Sequence, residues 1–300
     1  MSETIKNYIR VAKPGIILGN LITAAGGFFL AAKGRVDFAV LPATLLGISL
    51  VVASGCVFNN WIDRNLDRKM VRTRDRALAR RLIDPKIAVA YALLLGIGGT
   101  ALIWAAANLL SVFIALAGFA VYVGLYSLYL KRNSMYGTLI GSLAGAAPPL
   151  AGYCAASGRL DLGALILMLI FTLWQMPHCY AFAVLRYDDY AAAEIPVLPV
   201  KRGMTAVRKL IYAYILAFTA AALMLTVAGY TGYSFFSVAA ALGCCWMYLA
   251  WSGRKTSEDR IWAKNLFVFS ILAIFILSAM MSIDATQPAA SHIHPTYSNI

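Results

Sequence analysis

Nine apolar runs recur along the chain and constrain its fold more than any other feature. Each is long enough to cross the hydrocarbon core of a bilayer as an α-helix, which needs about 20 residues. The runs lack the two-residue alternation of a membrane β-barrel, and lipid cannot satisfy unpaired backbone groups, so each run predicts a helix. They cover about residues 15–32, 38–58, 87–107, 109–130, 138–157, 163–185, 210–229, 233–252 and 265–283.

The composition agrees with a membrane protein. Only 13% of the residues are charged, whereas a soluble protein of this size has about a quarter. We therefore predict an all-α integral membrane protein with one polytopic domain over residues 1–300. Residues 1–14 show no cleavable signal pattern or transit peptide, which favours a bacterial inner membrane over an organelle.

The basic residues predict the orientation of the helices. Of the 26 Lys and Arg residues, 23 lie in the stretches 1–14, 59–86, 131–137, 186–209 and 253–264. The positive-inside rule then places the N-terminus in the cytoplasm and the tail 285–300 outside. The net charge of +13 is therefore mostly a topology signal, and no soluble basic domain exists to bind nucleic acid.

Two of the predicted cytoplasmic loops, 59–86 and 186–209, are long and mix acids with bases. They follow the second and the sixth span, so four helices separate them. This spacing indicates a weak internal duplication. If the loops face each other across the bundle, they would build one site from two halves.

The first loop opens with Asn59, Asn60, Asp63 and Asp67. Residues four apart share one face of a helix, so Asn59, Asp63 and Asp67 point the same way. Carboxylate and amide oxygens on one face favour Mg²⁺, which usually bridges protein carboxylates to substrate phosphates. We predict these four residues as metal ligands, with Asn60, Asp63 and Asp67 as the catalytic core. The alternative is a solvated helix end with mixed charges.

The second loop carries the acidic pair Asp188 and Asp189. Adjacent residues on a helix point about 100° apart, so both cannot face one metal from a regular helix. We predict Asp189 as the main ligand and Asp188 as the weaker one. The following segment 195–199, which contains two prolines, is predicted to be an ordered loop that could cap the site.

Four basic residues are candidates to bind a diphosphate. Arg72 lies one turn beyond the acidic face, and its planar fork suits bidentate contact with phosphate. Lys69, Lys131 and Lys13 are the other three. The alternative role for each is a membrane-surface anchor. Arg76 is predicted to be solvated charge.

Polar groups and prolines interrupt two spans. Pro148 and Pro149 predict a break or kink in the fifth span, either for packing or to widen a cavity. His178 is the one histidine inside a span, and an intramembrane ionisable residue is a functional candidate unless it is a satisfied core group. We predict a haem or prenyl pocket that contains His178, Trp174, Tyr126 and Asn20.

The motif from Asn59 to Asp67 resembles the Asn-Asp-x-x-Asp-x-x-x-Asp signature of the UbiA superfamily of intramembrane prenyltransferases. Asn60 stands where the general signature has an acid. That departure resembles the branch that farnesylates haem, as do the segments 13–15, 136–138, 174–178 and 189–199. The resemblance runs from about residue 8 to residue 284.

The resemblance implies nine transmembrane helices around a central cavity, with the acidic motifs at its cytoplasmic mouth. It implies farnesyl diphosphate and haem b as substrates, Mg²⁺ as cofactor and haem O as product. His178 could then ligate the haem iron or orient the acceptor. Haem A synthase or terminal oxidase subunits are the implied protein partners. Position 193 is Ala where the family has a second acid, so either one metal binds or Asp188 partly holds a second.

Three other functions fit parts of the sequence. An aromatic-ring polyprenyltransferase of quinone biosynthesis would share the first motif, but its mark is an acid at position 60. A membrane transporter would suit a broken helix, but its acids would lie at mid-span rather than at the interface. A structural assembly subunit would not require metal-spaced carboxylates.

Overall fold

The computed structural model describes residues 2–253 and 258–286, which form helices joined by turns and by the longer loop 68–84. One antiparallel bridge pairs Thr231 with Ala285. The helices are α1 Glu3–Val11, α2 Pro14–Ala32, α3 Val40–Asp67, α4 Pro85–Ala106, α5 Leu109–Phe119, a π-helical segment Ala120–Leu130, α6 Lys131–Asn133, α7 Gly137–Ser157, α8 Leu162–Leu185, α9 Tyr187–Ala192, α10 Leu198–Val227, α11 Tyr233–Ser252 and α12 Asp259–Ile283.

In this described part of the chain, nine helical stretches are long and apolar enough to cross a bilayer. The predicted all-α fold with nine spans is therefore confirmed. The fourth span joins α5, the π-helical segment and α6 into Leu109–Asn133. The predicted outer tail 285–300 lies outside the described residues, except for its first two.

The second span is longer than predicted. α3 continues to Asp67 instead of ending near residue 58, so the acidic motif occupies the last turns of a membrane helix. Leu66, Met70 and neighbours pack these turns against the second loop. This packing helps to bury the acidic motif, whose polar sequence alone predicts exposure to solvent.

Close backbone contacts hold α2 against α7. A Cβ atom at Gly27 would lie 2.1 Å from the carbonyl oxygen of Pro149, and one at Gly152 would lie 2.1 Å from that of Ala24. Small residues let membrane helices approach in this way. The two glycines therefore set the spacing of these helices.

The prolines break the helices less than predicted. α7 continues through Pro148 and Pro149, and both are buried. A proline inside a helix costs about 3 kcal/mol or more, and the buried packing of α7 offsets that cost. The prediction that 195–199 is a capping loop is wrong for its last residues. Pro199 lies in the first turn of α10, where the N–H that proline lacks is not needed.

The fourth span changes to π-helical winding at Ala120–Leu130. π-helical turns are rare and often occur at functional sites. This segment places Tyr122, Ser127 and the adjoining Lys131 beside α3. Nothing in the apolar sequence of the segment predicts this change in winding.

Candidate active site

Asp63 is the most enclosed carboxylate of the described chain, with a fully buried side chain. Its Oδ2 accepts hydrogen bonds from Lys131 Nζ and from Asn59 Nδ2, the latter at 2.9 Å. Arg132 Nη2 lies 3.6 Å from its Oδ1. A buried carboxylate requires such cationic partners. The structure thus places the predicted Lys131 directly at the predicted metal-binding face.

Asn59 connects this carboxylate to two further segments. Its Oδ1 accepts a hydrogen bond of 2.6 Å from Lys13 Nζ, and its Nδ2 donates at 3.1 Å to Ser127 Oγ. Lys13 immediately precedes α2 and has a left-handed backbone at φ 57°, and burial of its ammonium lowers its pKa to about 8. Lys13 and Lys131 therefore lie on one polar cluster with Asp63.

The Asn60 side chain has different partners from that of Asn59, and its amide nitrogen anchors it. Its Nδ2 donates to the backbone carbonyls of Val11 at 2.7 Å and Cys56 at 3.1 Å. Two buried oxygens, Asn60 Oδ1 and Asp63 Oδ1, have no hydrogen-bond partner in the described structure. Orphaned buried oxygens are costly, and hard cations prefer such oxygen ligands. Two of the four predicted ligand residues therefore each carry a buried oxygen that accepts no hydrogen bond in the described structure.

Asp67 is also buried, and Arg76 is its partner. Arg76 Nη1 lies 3.0 Å from both carboxylate oxygens, and Thr73 Oγ1 donates to the Asp67 carbonyl at 3.0 Å. The prediction that Arg76 is solvated charge is wrong. The turns after α3 bring Arg76 back to Asp67, which lies nine residues earlier in the chain. Neither the length of the apolar runs nor the charge pattern predicts this contact.

Replacing Arg76 by methionine is expected to lower the free energy of unfolding by about 2 kcal/mol. Removing one partner leaves the Asp67 charge buried, and partial exposure of Arg76 moderates the loss. Thermal unfolding in detergent measures the change. Arg80→Met is the matched control, because Arg80 is exposed in the same loop. An equal melting temperature for both variants would contradict the expectation.

The acidic pair Asp188 and Asp189 contacts two different parts of the structure. Asp189 Oδ1 lies 3.4 Å from the backbone N of Arg72, which brings the two long loops together. Asp188 instead pairs with Arg260 at the start of α12. In the residues that the structure describes, no three His, Cys, Asp or Glu side chains gather into a metal-binding group. The structure thus does not bring Asp188 and Asp189 onto the first acidic face.

The remaining predicted diphosphate ligands differ in position. The Arg72 guanidinium lies over the Phe182 ring, 5.4 Å from its centroid. This partial removal from water lowers the pKa of Arg72, although much of the residue stays exposed. Lys69 is exposed, and its ammonium makes no ion pair within residues 2–253 and 258–286. Lys13 and Lys131 are therefore better placed than Lys69.

An apolar cavity of about 470 Å³ lies beside the polar cluster, inside the bundle. Of the four predicted pocket residues, Asn20, Trp174 and His178 line it. Tyr126 does not; it stacks on Tyr122, which does, with ring centroids 6.1 Å apart. The sequence did not single out Tyr122, because an aromatic residue in an apolar span carries no distinguishing pattern.

One cavity wall depends on the absence of a side chain. A Cβ at Gly145 would lie 1.9 Å from Gln175 Oε1, a buried atom without a hydrogen-bond partner among the described residues. Gly145→Ala is expected to push the flexible end of Gln175 into the cavity and weaken substrate binding, with a stability loss of at most about 1 kcal/mol because no backbone has to move. Thermal unfolding and KM measure the two effects.

Gly98→Ala is the control for that change. Its added Cβ would meet no heavy atom within 4 Å, so alanine should be neutral or slightly stabilising there. If Gly145→Ala matches Gly98→Ala in both stability and KM, Gly145 does not make room for Gln175.

The described structure resembles the solved structures of two other proteins. It superposes on a digeranylgeranylglyceryl phosphate synthase with a TM-score of 0.77 and 17% identity, covering 94% of this chain and 99% of that one. A UbiA homologue of Archaeoglobus fulgidus bound to GPP and Mg²⁺ gives a TM-score of 0.69 at 15% identity, covering 92% and 99% of the two chains. At these identities the likeness establishes the fold alone.

Sequence comparison reaches further. A protoheme IX farnesyltransferase of Photorhabdus laumondii is 59% identical over 289 residues, which cover 96% of this chain and 98% of that protein. One of Sodalis glossinidius is 58% identical over 290 residues, with the same coverage. The sequence profile of the UbiA prenyltransferase family matches residues 20–276. The predicted superfamily is thus confirmed, and the chain belongs to the UbiA prenyltransferase family.

Proposed function

We propose that this chain transfers the farnesyl group of farnesyl diphosphate, with addition of water, to a vinyl group of haem b and so forms haem O. The observation that carries the proposal is one polar cluster, centred on buried Asp63, at the end of an apolar cavity. α3 contributes to both, because Cys56 lines the cavity and lies about one turn before Asn59 and two turns before Asp63. The protoheme IX farnesyltransferase relatives support this choice of reaction.

The metal in this proposal is Mg²⁺, held by Asn60, Asp63 and Asp67 with help from Asn59. The orphaned oxygens of Asn60 and Asp63 support this assignment. The Archaeoglobus homologue that binds GPP together with Mg²⁺ has the same fold. When bound, Mg²⁺ supplies positive charge that stabilises the leaving diphosphate. Asp189, on the second loop, accepts a hydrogen bond from the backbone N–H of Arg72 and does not belong to this ligand set in the described structure.

The basic residues hold the diphosphate in place. Lys13 and Lys131 already lie on the Asp63 cluster, and Arg72, whose backbone N–H donates to Asp189, is the third cation of the proposal. Their charges favour the state in which the allylic C–O bond has broken and the diphosphate carries the electron pair away. Fixed charges aimed at a developing charge are usually the largest contribution in such sites.

The cavity takes the farnesyl chain and presents the acceptor. A bond forms between farnesyl C1 and the terminal vinyl carbon of the haem. Water then adds to the other vinyl carbon and loses a proton, which balances the reaction. Aromatic faces such as Tyr122 and Trp174 can stabilise the allylic cation on its way, and the apolar wall excludes water until the carbon–carbon bond has formed.

The proposal includes a location. The basic stretches favour an inner membrane with the polar cluster facing the cytoplasm and the N-terminus inside. Haem A synthase or a terminal oxidase would receive the product directly. Cysteine accessibility at residue 75 and at residue 160, probed in sealed vesicles, tests this orientation. Labelling of residue 160 from the cytoplasm would contradict it.

The reaction is tested with purified protein, farnesyl diphosphate, haem b and Mg²⁺. Mass analysis of the haem should show the addition of one farnesyl group and one water, and removal of Mg²⁺ by a chelator should stop it. A parallel reaction with 4-hydroxybenzoate in place of haem tests the aromatic-ring alternative. Unmodified haem with a prenylated benzoate would overturn the proposal.

A further inference from the structure

His178 is anchored by a residue that the sequence did not single out. Its Nδ1 lies 2.7 Å from the hydroxyl of Ser270 on α12. The same hydroxyl lies 2.6 Å from the backbone carbonyl of Phe267, to which it donates. Ser270 is fully buried. α12 therefore holds the imidazole of α8 through one hydroxyl group.

The direction of these hydrogen bonds fixes the protonation of the ring. A serine hydroxyl has one proton, and here Phe267 O receives it. Ser270 Oγ can therefore only accept from His178, so the proton of the neutral imidazole is on Nδ1. The lone pair is then on Nε2, since the hydrogen bond that His178 makes to Ser270 within residues 2–253 and 258–286 is at Nδ1.

The orientation of the ring is fixed as firmly as its tautomer. His178 stacks on Trp174 with centroids 4.9 Å apart and on Phe267 at 4.6 Å, both at small interplanar angles. Trp174 Nε1 in turn donates to the Ser270 carbonyl at 2.8 Å. All of His178, Trp174 and Phe267 line the cavity. The Nε2 edge is thus a pre-oriented donor of an electron pair inside an apolar chamber.

We propose that Ser270 is a positioning residue, which holds His178 in the Nδ1–H tautomer so that Nε2 coordinates the iron of the haem substrate. The inference rests on the proposed function for the identity of the ligand. Imidazole ligands of metals usually donate their other N–H to such a partner, which sets the tautomer and raises ligand basicity. Coordination would fix the iron, and with it the position of the vinyl groups relative to the farnesyl chain.

The test is a titration of the full chain in lipid nanodiscs with ferrous haem b, without farnesyl diphosphate. Resonance Raman should show an iron–histidine stretching band, which His178→Ala removes. Ser270→Ala should shift this band to lower frequency and raise the Kd for haem by roughly 10- to 100-fold. Ser270→Cys keeps the size of the side chain but accepts hydrogen bonds only weakly. Its band frequency and its Kd should therefore lie between those of the wild type and those of Ser270→Ala.

Ser278→Ala is the matched control. Ser278 is buried on the same helix, but its hydroxyl has no hydrogen-bond partner in the described structure. Its variant should keep the wild-type band and Kd, and melting temperatures confirm that each variant is folded. If the band persists in His178→Ala, or if a folded Ser270→Ala matches Ser278→Ala, the inference is wrong. Because no product is measured, this failure is distinct from the absence of farnesylated haem in the reaction assay.

Discussion

Asp63→Asn is expected to lower kcat by roughly 10³-fold, which corresponds to on the order of 4 kcal/mol of transition-state stabilisation. Asp63 is the one carboxylate that contacts Asn59, Lys131 and Arg132 together among the described residues. The amide keeps the shape of the side chain but removes its charge. The metal and the two cations would then lose the group that orders them. Initial rates of farnesylated haem formation measure the effect.

Asp75→Asn is the control for that variant. Asp75 belongs to the same loop, and its exposed carboxylate lies 4.0 Å from Arg74. Such a surface pair contributes at most about 1 kcal/mol, so this variant should keep near-wild-type turnover. The role of Asp63 would be refuted if both variants turned over haem at the wild-type rate while remaining folded.

Asn60→Asp is expected to destabilise the protein, although it restores the acid of the general family signature. The Asn60 amide donates to the carbonyls of Val11 and Cys56. A carboxylate cannot donate, so a buried negative charge would face two carbonyl oxygens. An uncompensated buried charge costs about 3–5 kcal/mol. Thermal unfolding without divalent metal measures this loss.

Magnesium provides a second measurement on the same variant. A bound cation would compensate the new charge, so Mg²⁺ with a diphosphate ligand should raise the melting temperature of Asn60→Asp more than that of the wild type. Asn65→Asp is the control, since Asn65 is exposed on the same helix and should show neither effect. Equal stability of the two variants in metal-free buffer would contradict the role of the Asn60 amide.

Asn60 also illustrates why a signature alone is an incomplete guide. In the sequence, Asn60 distinguishes the haem branch from ring-prenylating relatives, and it is predicted to be a metal ligand. In the structure, one end of its side chain secures α3 to the chain before α2, and only its oxygen remains free. The same residue therefore has a structural role that its place in the motif did not indicate.

The sequence by itself determined the features that depend on neighbours along the chain. Run length and polarity predicted nine membrane helices, since the bilayer selects for length and apolar content. Helical spacing placed Asn59, Asp63 and Asp67 on one face, and the structure joins the first two directly. The family was also within reach of the sequence, because its signature is local.

Only the tertiary structure decided which side chains meet. Arg76 reaches Asp67 through a fold-back of the loop, Asp188 turns to Arg260, and Ser270 reaches His178 across 92 positions of sequence. Apolar patterning constrains how a helix faces lipid or its neighbours, but every span here is apolar on nearly all sides. Pairing between helices therefore depends on close packing at glycines and on satisfying buried polar groups, and neither is visible until the bundle has formed.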